Sequence, residues 1–178
     1  METSSANKLR NLFEKYTDHN CFVCSKNNKI GLKLEIIQNN NNCYADLILG
    51  KNYSGFPDIV HGGIQAAILD EVAFWAMFNK YKSIGFTTKM NIQYLNKMDV
   101  NKKIRAIAIN IIMQKNNVNV KVELREKDKT LTKADVDYRL VNDIYLKKYF
   151  GDEFLKEFIK IKNEKDWFIW SPLIRKLL

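Results

Sequence analysis

The chain has no run of apolar residues that approaches the length of about 20 needed to span a membrane. Its first residues, METSS, lack the basic and then apolar layout of a secretory signal. Cysteine is also scarce, and an odd count of three fits a reducing compartment. From these absences we expect a soluble, cytoplasmic protein.

The sequence also lacks the features of a nucleic-acid-binding protein. Lys and Arg number 29 against 20 Asp and Glu, a net charge of +9. The lysines are nevertheless spread along the chain, with no arginine cluster and no interleaved aromatic platform. We expect no nucleic-acid partner, although the excess positive charge suits an anionic small molecule. A length of 178 residues with 46% apolar content fits one domain.

Hydrophobic periodicity predicts helices at the two ends and in the middle, and six strands. A glycine- and proline-marked loop, residues 50–60, leads into the central helix at about residues 62–80. An amphipathic helix is predicted over residues 5–16. The predicted strands are residues 31–38, 43–49, 86–95, 103–113, 118–126 and 130–141, with hairpin turns at 39–42, 116–117 and 127–129. The expected α+β architecture is an antiparallel six-stranded sheet wrapped around a long central helix.

The central helix carries acid in apolar surroundings. Between residues 64 and 78 only Gln65, Asp70 and Glu71 are polar, and a helix that is apolar all round belongs in a core. An ionised carboxylate is costly there unless it is stabilised. Glu71 lies about 100° further round the helix than Asp70, so we assign it a structural role.

The start of this helix offers a second chemical feature. Gly62 and Gly63 leave backbone N–H groups uncovered at a helix N-terminus, where the dipole favours negative charge. Bare donors and an acid are the two parts that acyl transfer requires, an oxyanion hole and an activator of the attacking water.

Four sequence blocks, in order, resemble the hotdog-fold acyl-CoA thioesterase superfamily, in particular the phenylacetate-type branch and its mammalian relatives. They are NCFVC at 20–24 with IGLKL at 30–34, GFPDIV at 55–60, HGG at 61–63 with an acid nine residues after the histidine, and TTKMNIQYL at 87–95. The resemblance covers most of the chain, from about Asn20 to Leu140.

The resemblance implies a hotdog fold and hydrolysis of an acyl-CoA thioester to the acid and coenzyme A, without a metal or a redox cofactor. Asp70 would be the general base or the nucleophile, and Thr87 would help to hold the attacking water. A backbone N–H of the Gly62-Gly63 turn, by the resemblance that of Gly62, would polarise the thioester oxygen. His61 would either position this loop or act directly near the thioester. In this fold the glycine turn of one subunit meets the acid helix of another, which implies a homodimer or a tetramer of dimers.

The chain departs from the family pattern in two places. Relatives with an Asn or Gln six residues before the histidine use it as a polar contact, and here that residue is Gly55. The usual proline after the strand tyrosine is missing, and Asn96 and Lys97 follow in the loop that often borders the nucleotide of coenzyme A. These two residues are candidates for phosphate contacts.

Two alternatives stay open. The first is a hotdog protein that binds acyl-CoA without cleaving it, as a sensor or scaffold; Gly55 favours it and the presence of Asp70 and Thr87 argues against it. The second is a hydratase or dehydratase, whose usual histidine motif has no match here.

Cys21 and Cys24 have the spacing of half a zinc site. A structural zinc needs four ligands, and only His19 and the distant Cys43 remain to complete it. We therefore expect no metal and a packed turn with free thiols. A redox role is disfavoured, because the pair does not open a helix in a thioredoxin-like unit.

Residues 142–178 lie outside the resemblance. Their aromatic and aliphatic content predicts helix with a break at Gly151, and a second apolar group at 167–177. Acidic residues offset the basic ones, which favours packing on the domain over lying on a membrane. The expected organisation is a helical extension at 1–18, a hotdog domain at 19–141 and a helical C-terminal extension that packs on it.

Overall fold

Eight strands and four helices make up the computed structural model, which describes residues 5–38 and 42–163. The helices are α1 (Ser5–Tyr16), α2 (Gly62–Tyr81), α3 (Asp143–Phe150) and α4 (Asp152–Lys162). The strands are β1 (Ile37–Gln38), β2 (Cys43–Ile48), β3 (Ser54–Phe56), β4 (Ile59–Val60), β5 (Gly85–Tyr94), β6 (Lys103–Gln114), β7 (Asn117–Glu126) and β8 (Lys129–Leu140).

Six of the strands form one antiparallel sheet in the order β1-β2-β6-β7-β8-β5, and α2 packs against it. Strand β7 shows why one face of the sheet packs against the helix. Every second side chain of β7 is fully buried, while the alternate ones are partly or fully exposed. The buried set is Val118, Val120, Val122 and Leu124. The structure thus confirms the predicted six-stranded antiparallel sheet with a long helix.

The first predicted strand, residues 31–38, is wrong over most of its length, because only β1 belongs to the sheet. Lys33 has a positive φ of 53°, which interrupts an extended strand. The N–H groups of Leu32 and Leu34 donate to backbone carbonyls of residues 22–23, at 2.8 and 2.7 Å. Residues 32–34 therefore bond to the cysteine-containing turn, and only residues 37–38 pair with β2.

Two connections also differ from the prediction. The loop 50–60 contains a 3-10 turn at Lys51–Tyr53 and a small hairpin of β3 and β4. The β6–β7 turn lies at residues 115–116, one position earlier than expected, and Lys115 adopts the left-handed conformation there with φ 55°.

The helices from the two ends of the described chain pack together on α2. Gly151, with φ 87°, separates α3 from α4 at the predicted break. Phe154 of α4 lies 5.4 Å from Phe13 of α1 between ring centres, and Phe158 lies 6.4 Å from Phe78 of α2. An aromatic layer therefore joins α1 and α4 to the central helix.

The predicted apolar group at 167–177 lies outside the described residues. Over the part of the chain that is described, no helix is both long and apolar enough to cross a membrane.

Phe154→Ala should lower the free energy of unfolding by about 3–5 kcal/mol, because the ring is completely buried and its loss leaves a cavity. Ile144→Ala on α3 is the control, since Ile144 is 76% exposed and the change should stay within about 0.5 kcal/mol. Urea unfolding of both variants measures the difference. Equal effects would mean that α4 does not belong to the core.

Candidate functional site

Asp70 lies on α2 and is held by two hydroxyl groups from the sheet. The Thr87 hydroxyl donates to Asp70 Oδ1 at 2.8 Å. The Tyr138 hydroxyl lies 3.0 Å from the same oxygen and 2.8 Å from the Asp70 backbone carbonyl. The carboxylate is half-buried, and its hydrogen bonds leave it oriented toward the edge of the sheet where Thr87 is exposed.

Strand register brings these hydroxyls together. Thr87 of β5 stands opposite Tyr138 of β8, and Thr88 is the extra residue of a β-bulge beside them. Tyr138 is buried, and its burial, followed by the nearby Asp70 charge, raises the pKa of the phenol. The phenol therefore keeps its proton and donates it to Asp70 in a hydrogen bond.

Sequence reasoning missed Tyr138, although a signal was present. Tyr138 shares the buried face of β8 with Val136 and Ala134. A tyrosine at a buried position needs a partner for its hydroxyl, and the unpaired acid of α2 was the available acceptor.

The glycine turn offers one backbone donor. His61 caps α2, and its Nδ1 accepts a hydrogen bond from the N–H of Gly63 at 2.9 Å. The N–H of Gly62 has no acceptor among the described residues, while its carbonyl accepts from the Tyr94 hydroxyl at 3.1 Å. The exposed His61 ring therefore positions the turn, and Gly62 is the donor that stays available.

A shallow, open cleft of about 350 Å³ lies at this turn. Gly62 lines it together with both residues predicted to contact phosphates, Asn96 and Lys97. The Asn96 amide donates to the Thr130 carbonyl at 2.9 Å, and Lys97 Nζ lies 3.0 Å from Asp99. Both polar groups are therefore held at the rim of the cleft.

The family position occupied by Gly55 has no room for a side chain. A Cβ built there would lie 2.9 Å from His61 Cδ2, closer than real contacts. A side chain at this position would therefore displace His61.

The described chain does not bring the acid and the glycine turn together. Asp70 follows Gly62 by eight residues on one helix, a distance of about 12 Å along the axis. Asp70 with Thr87, and Gly62 with the cleft, are two separate groups within one chain.

Glu71 belongs to neither group. Its Oε1 accepts from Trp75 Nε1 at 2.7 Å, and its Oε2 lies 3.4 Å from Cys21 Sγ. Burial, with the nearby Cys21, raises the pKa of Glu71 to about 7. Hydrogen bonding with Cys24 lowers the pKa of Cys21, and the same contact, with burial, raises that of Cys24. Glu71 thus binds the cysteine turn to α2.

Solved structures share this arrangement of helix and sheet. Thioesterase superfamily member 2 of zebrafish has a TM-score of 0.61 and 17% identity, over 78% of this chain and 100% of that chain. A Streptococcus mutans protein solved with acetyl-CoA bound has a TM-score of 0.56 and 11% identity, over 61% and 89%. The chain has the hotdog fold.

A third hotdog structure is a hypothetical thioesterase of Streptococcus pneumoniae with coenzyme A. Its TM-score is 0.56 and its identity 13%, over 61% of this chain and 89% of that chain. The same protein has been solved with an aspartate, and separately with a threonine, replaced by alanine. No protein-family model and no curated protein matches the sequence. Identities of this size define the fold, so activity has to be argued from the site.

Proposed function

We propose that this hotdog protein is an acyl-CoA thioesterase, which hydrolyses an acyl-CoA thioester to a carboxylic acid and coenzyme A. The observation that carries the proposal is Asp70, an acid in an apolar helix whose carboxylate accepts from the hydroxyl of Thr87 at 2.8 Å. Two of the similar hotdog structures contain acetyl-CoA or coenzyme A, which supports the substrate class. An aspartate and a threonine are also the residue types replaced in the pneumococcal protein.

The proposed reaction uses Asp70 as general base or as nucleophile. As a base, it takes a proton from a water molecule that Thr87 helps to hold, and the hydroxide adds to the thioester carbonyl. As a nucleophile, its carboxylate adds to the carbonyl directly, and water later releases the acid from the anhydride. In both routes the carbonyl oxygen becomes negative and is stabilised by the N–H of Gly62. The carbon–sulfur bond then breaks. In the base route the proton that Asp70 took from water passes to the sulfur of coenzyme A. In the nucleophile route coenzyme A leaves as a thiolate, which takes up the proton released when water hydrolyses the anhydride.

The same proposal requires two chains. An oxyanion donor and an attacking group must both lie about 3 Å from one thioester group. Gly62 and Asp70 of one chain are too far apart along α2 for this, so they act on different thioesters. We propose that the Gly62 turn of one subunit meets Asp70 of the next, in a homodimer or a tetramer of dimers.

The strand β5 is the surface that we propose for this assembly. It is an edge strand of ten residues, and most of its side chains are exposed, including Thr87 and Phe86. A long exposed edge is a template for pairing with another strand. Pairing β5 with a second β5 extends the sheet across two subunits and places Thr87 and Asp70 at the interface.

Coenzyme A would lie with its nucleotide along the cleft at Gly62, where Asn96 and Lys97 form part of the wall. The chemistry needs only protein groups and water, so we propose no metal and no redox cofactor in the reaction.

Release of thiol from a panel of acyl-CoA substrates tests the function directly. We expect steady turnover of at least one class of acyl chain, with equal amounts of acid and thiol formed. Saturable acyl-CoA binding without thiol release would instead support the binding protein that the sequence also allows.

Thr87→Val should lower kcat about tenfold, the scale of one lost hydrogen bond, because valine keeps the shape and removes the hydroxyl. Thr87→Ser is the matched control, since it keeps the donor and should retain most of the activity. Thiol-release rates at saturating substrate measure both. Near wild-type turnover in Thr87→Val would exclude a role for the hydroxyl.

A further inference from the structure

Three metal-binding side chains converge away from the proposed active site, and His19 lies beside one of them. The fold places Glu71 of α2 against the turn of residues 19–24, although the two are separated by about fifty positions in the sequence. The ligand atoms of Cys21, Cys24 and Glu71 all lie within 4.8 Å of one another. His19 Nε2 lies 3.6 Å from Cys24 Sγ.

Two of these distances match the edges of a zinc tetrahedron, and the His19 ring has to move toward Cys21 and Glu71 to complete it. With Zn–S near 2.3 Å and Zn–O or Zn–N near 2.0–2.1 Å, a sulfur and an oxygen or nitrogen ligand are about 3.5 Å apart. Cys21 Sγ lies 3.4 Å from Glu71 Oε2, and Cys24 Sγ lies 3.6 Å from His19 Nε2. Two opposite edges of the tetrahedron therefore already have the required length.

Neighbouring groups hold the ligands in place. Trp75 Nε1 donates to Glu71 Oε1 at 2.7 Å, which leaves Oε2 directed at Cys21. The backbone N–H groups of Val23 and Cys24 donate to Cys21 Sγ at 3.3 and 3.4 Å, and such donors stabilise a thiolate. Glu71 and Cys21 are thus each held by neighbouring donors.

We propose that His19, Cys21, Cys24 and Glu71 bind a structural Zn²⁺ ion. The two thiols lose their protons as the Zn–S bonds form, and the ion offsets the negative charge that two thiolates and a carboxylate would otherwise concentrate. All four positions are filled by protein ligands, so the ion joins the cysteine turn to α2 and takes no part in catalysis.

From the sequence alone, we expect no metal at the cysteine pair. Nearby in the sequence, only His19 and the more distant Cys43 are available as further ligands. Cys43 is not part of the cluster, since its sulfur faces the Val72 carbonyl at 3.8 Å. The missing ligand is Glu71, which comes from α2 and cannot be recognised from spacing.

Elemental analysis of the purified protein is the first test. We expect about one zinc per chain in the wild type and in Cys43→Ser, and less than about 0.1 in Cys21→Ser/Cys24→Ser. Cys43→Ser is the matched control because it removes a buried thiol outside the cluster. Zinc retained by the double variant would place the metal elsewhere and overturn the proposal.

Reconstitution of the wild type keeps the test independent of whether the double variant folds. The reduced, metal-depleted protein should bind about one Co²⁺ per chain, with the sulfur-to-cobalt absorption and intense visible bands of a tetrahedral thiolate site. Adding Zn²⁺ should bleach these bands and raise the unfolding midpoint by about 5 °C or more. The proposal is overturned if the reduced protein takes up neither ion. It is also overturned if Cys21 and Cys24 form a disulfide and excess zinc leaves the unfolding midpoint unchanged. None of these measurements depends on thioesterase activity.

Discussion

Asp70→Asn should lower kcat by about 10²-fold or more, the scale of losing general-base assistance. The asparagine oxygen can still accept from the hydroxyls of Thr87 and Tyr138, so the local structure should be kept. What the variant loses is the negative charge that takes a proton or attacks a carbonyl. Acyl-CoA binding should persist, because the cleft at Gly62 does not include Asp70.

The measurement is thiol release together with the dissociation constant for the substrate. Asp135→Asn is the matched control, since Asp135 is a half-exposed acid on β8 that pairs with Lys121 at 3.7 Å. It should leave kcat within about twofold of the wild type, as expected for a surface substitution. Near wild-type turnover in Asp70→Asn would exclude the acid from the reaction.

Local patterns were sufficient to predict most of the fold. The helix over residues 5–16 and the alternation along β7 follow from side-chain periodicity alone, which acts within a few residues. The segment 31–36 also alternates, yet it lies outside the sheet. Its backbone hydrogen bonds go to residues 22–23, and side-chain periodicity within the segment does not predict this tertiary pairing.

The candidate site could be predicted only in part, for the same reason. Asp70, Gly62 and Thr87 stand in recognisable motifs, and in the structure the Thr87 hydroxyl donates to Asp70 Oδ1. Tyr138 and the partnership of Glu71 with Cys21 depend on strand register and helix packing across long stretches of chain. Such contacts depend on how the whole core packs, so no spacing of residues along the sequence predicts them.

Gly62→Pro should lower kcat by about 10²–10³-fold, the scale of one lost oxyanion donor. Proline has no backbone N–H, whereas every other substitution at this position keeps it. Gly62 is the first residue of α2, where proline is well tolerated and the missing N–H has no helical partner. His61 already has φ −58° and ψ 136°, the extended conformation that a residue before proline prefers. The fold and its unfolding midpoint should therefore be preserved.

Gly62→Ala is the matched control, because any Cβ at this position meets Tyr94 at 3.3 Å while the alanine keeps the N–H. The contribution of the Gly62 N–H is the difference in kcat between the two variants, and equal values would exclude a role for it.

Mixing inactive Gly62→Pro with inactive Asp70→Asn then tests how the site is assembled. If each site takes its glycine turn from one subunit and its acid from the other, a mixed dimer contains one intact site. Random mixing of equal amounts should then restore about a quarter of the wild-type activity. A site built within one chain would recover nothing, because every chain in the mixture carries one of the two defects.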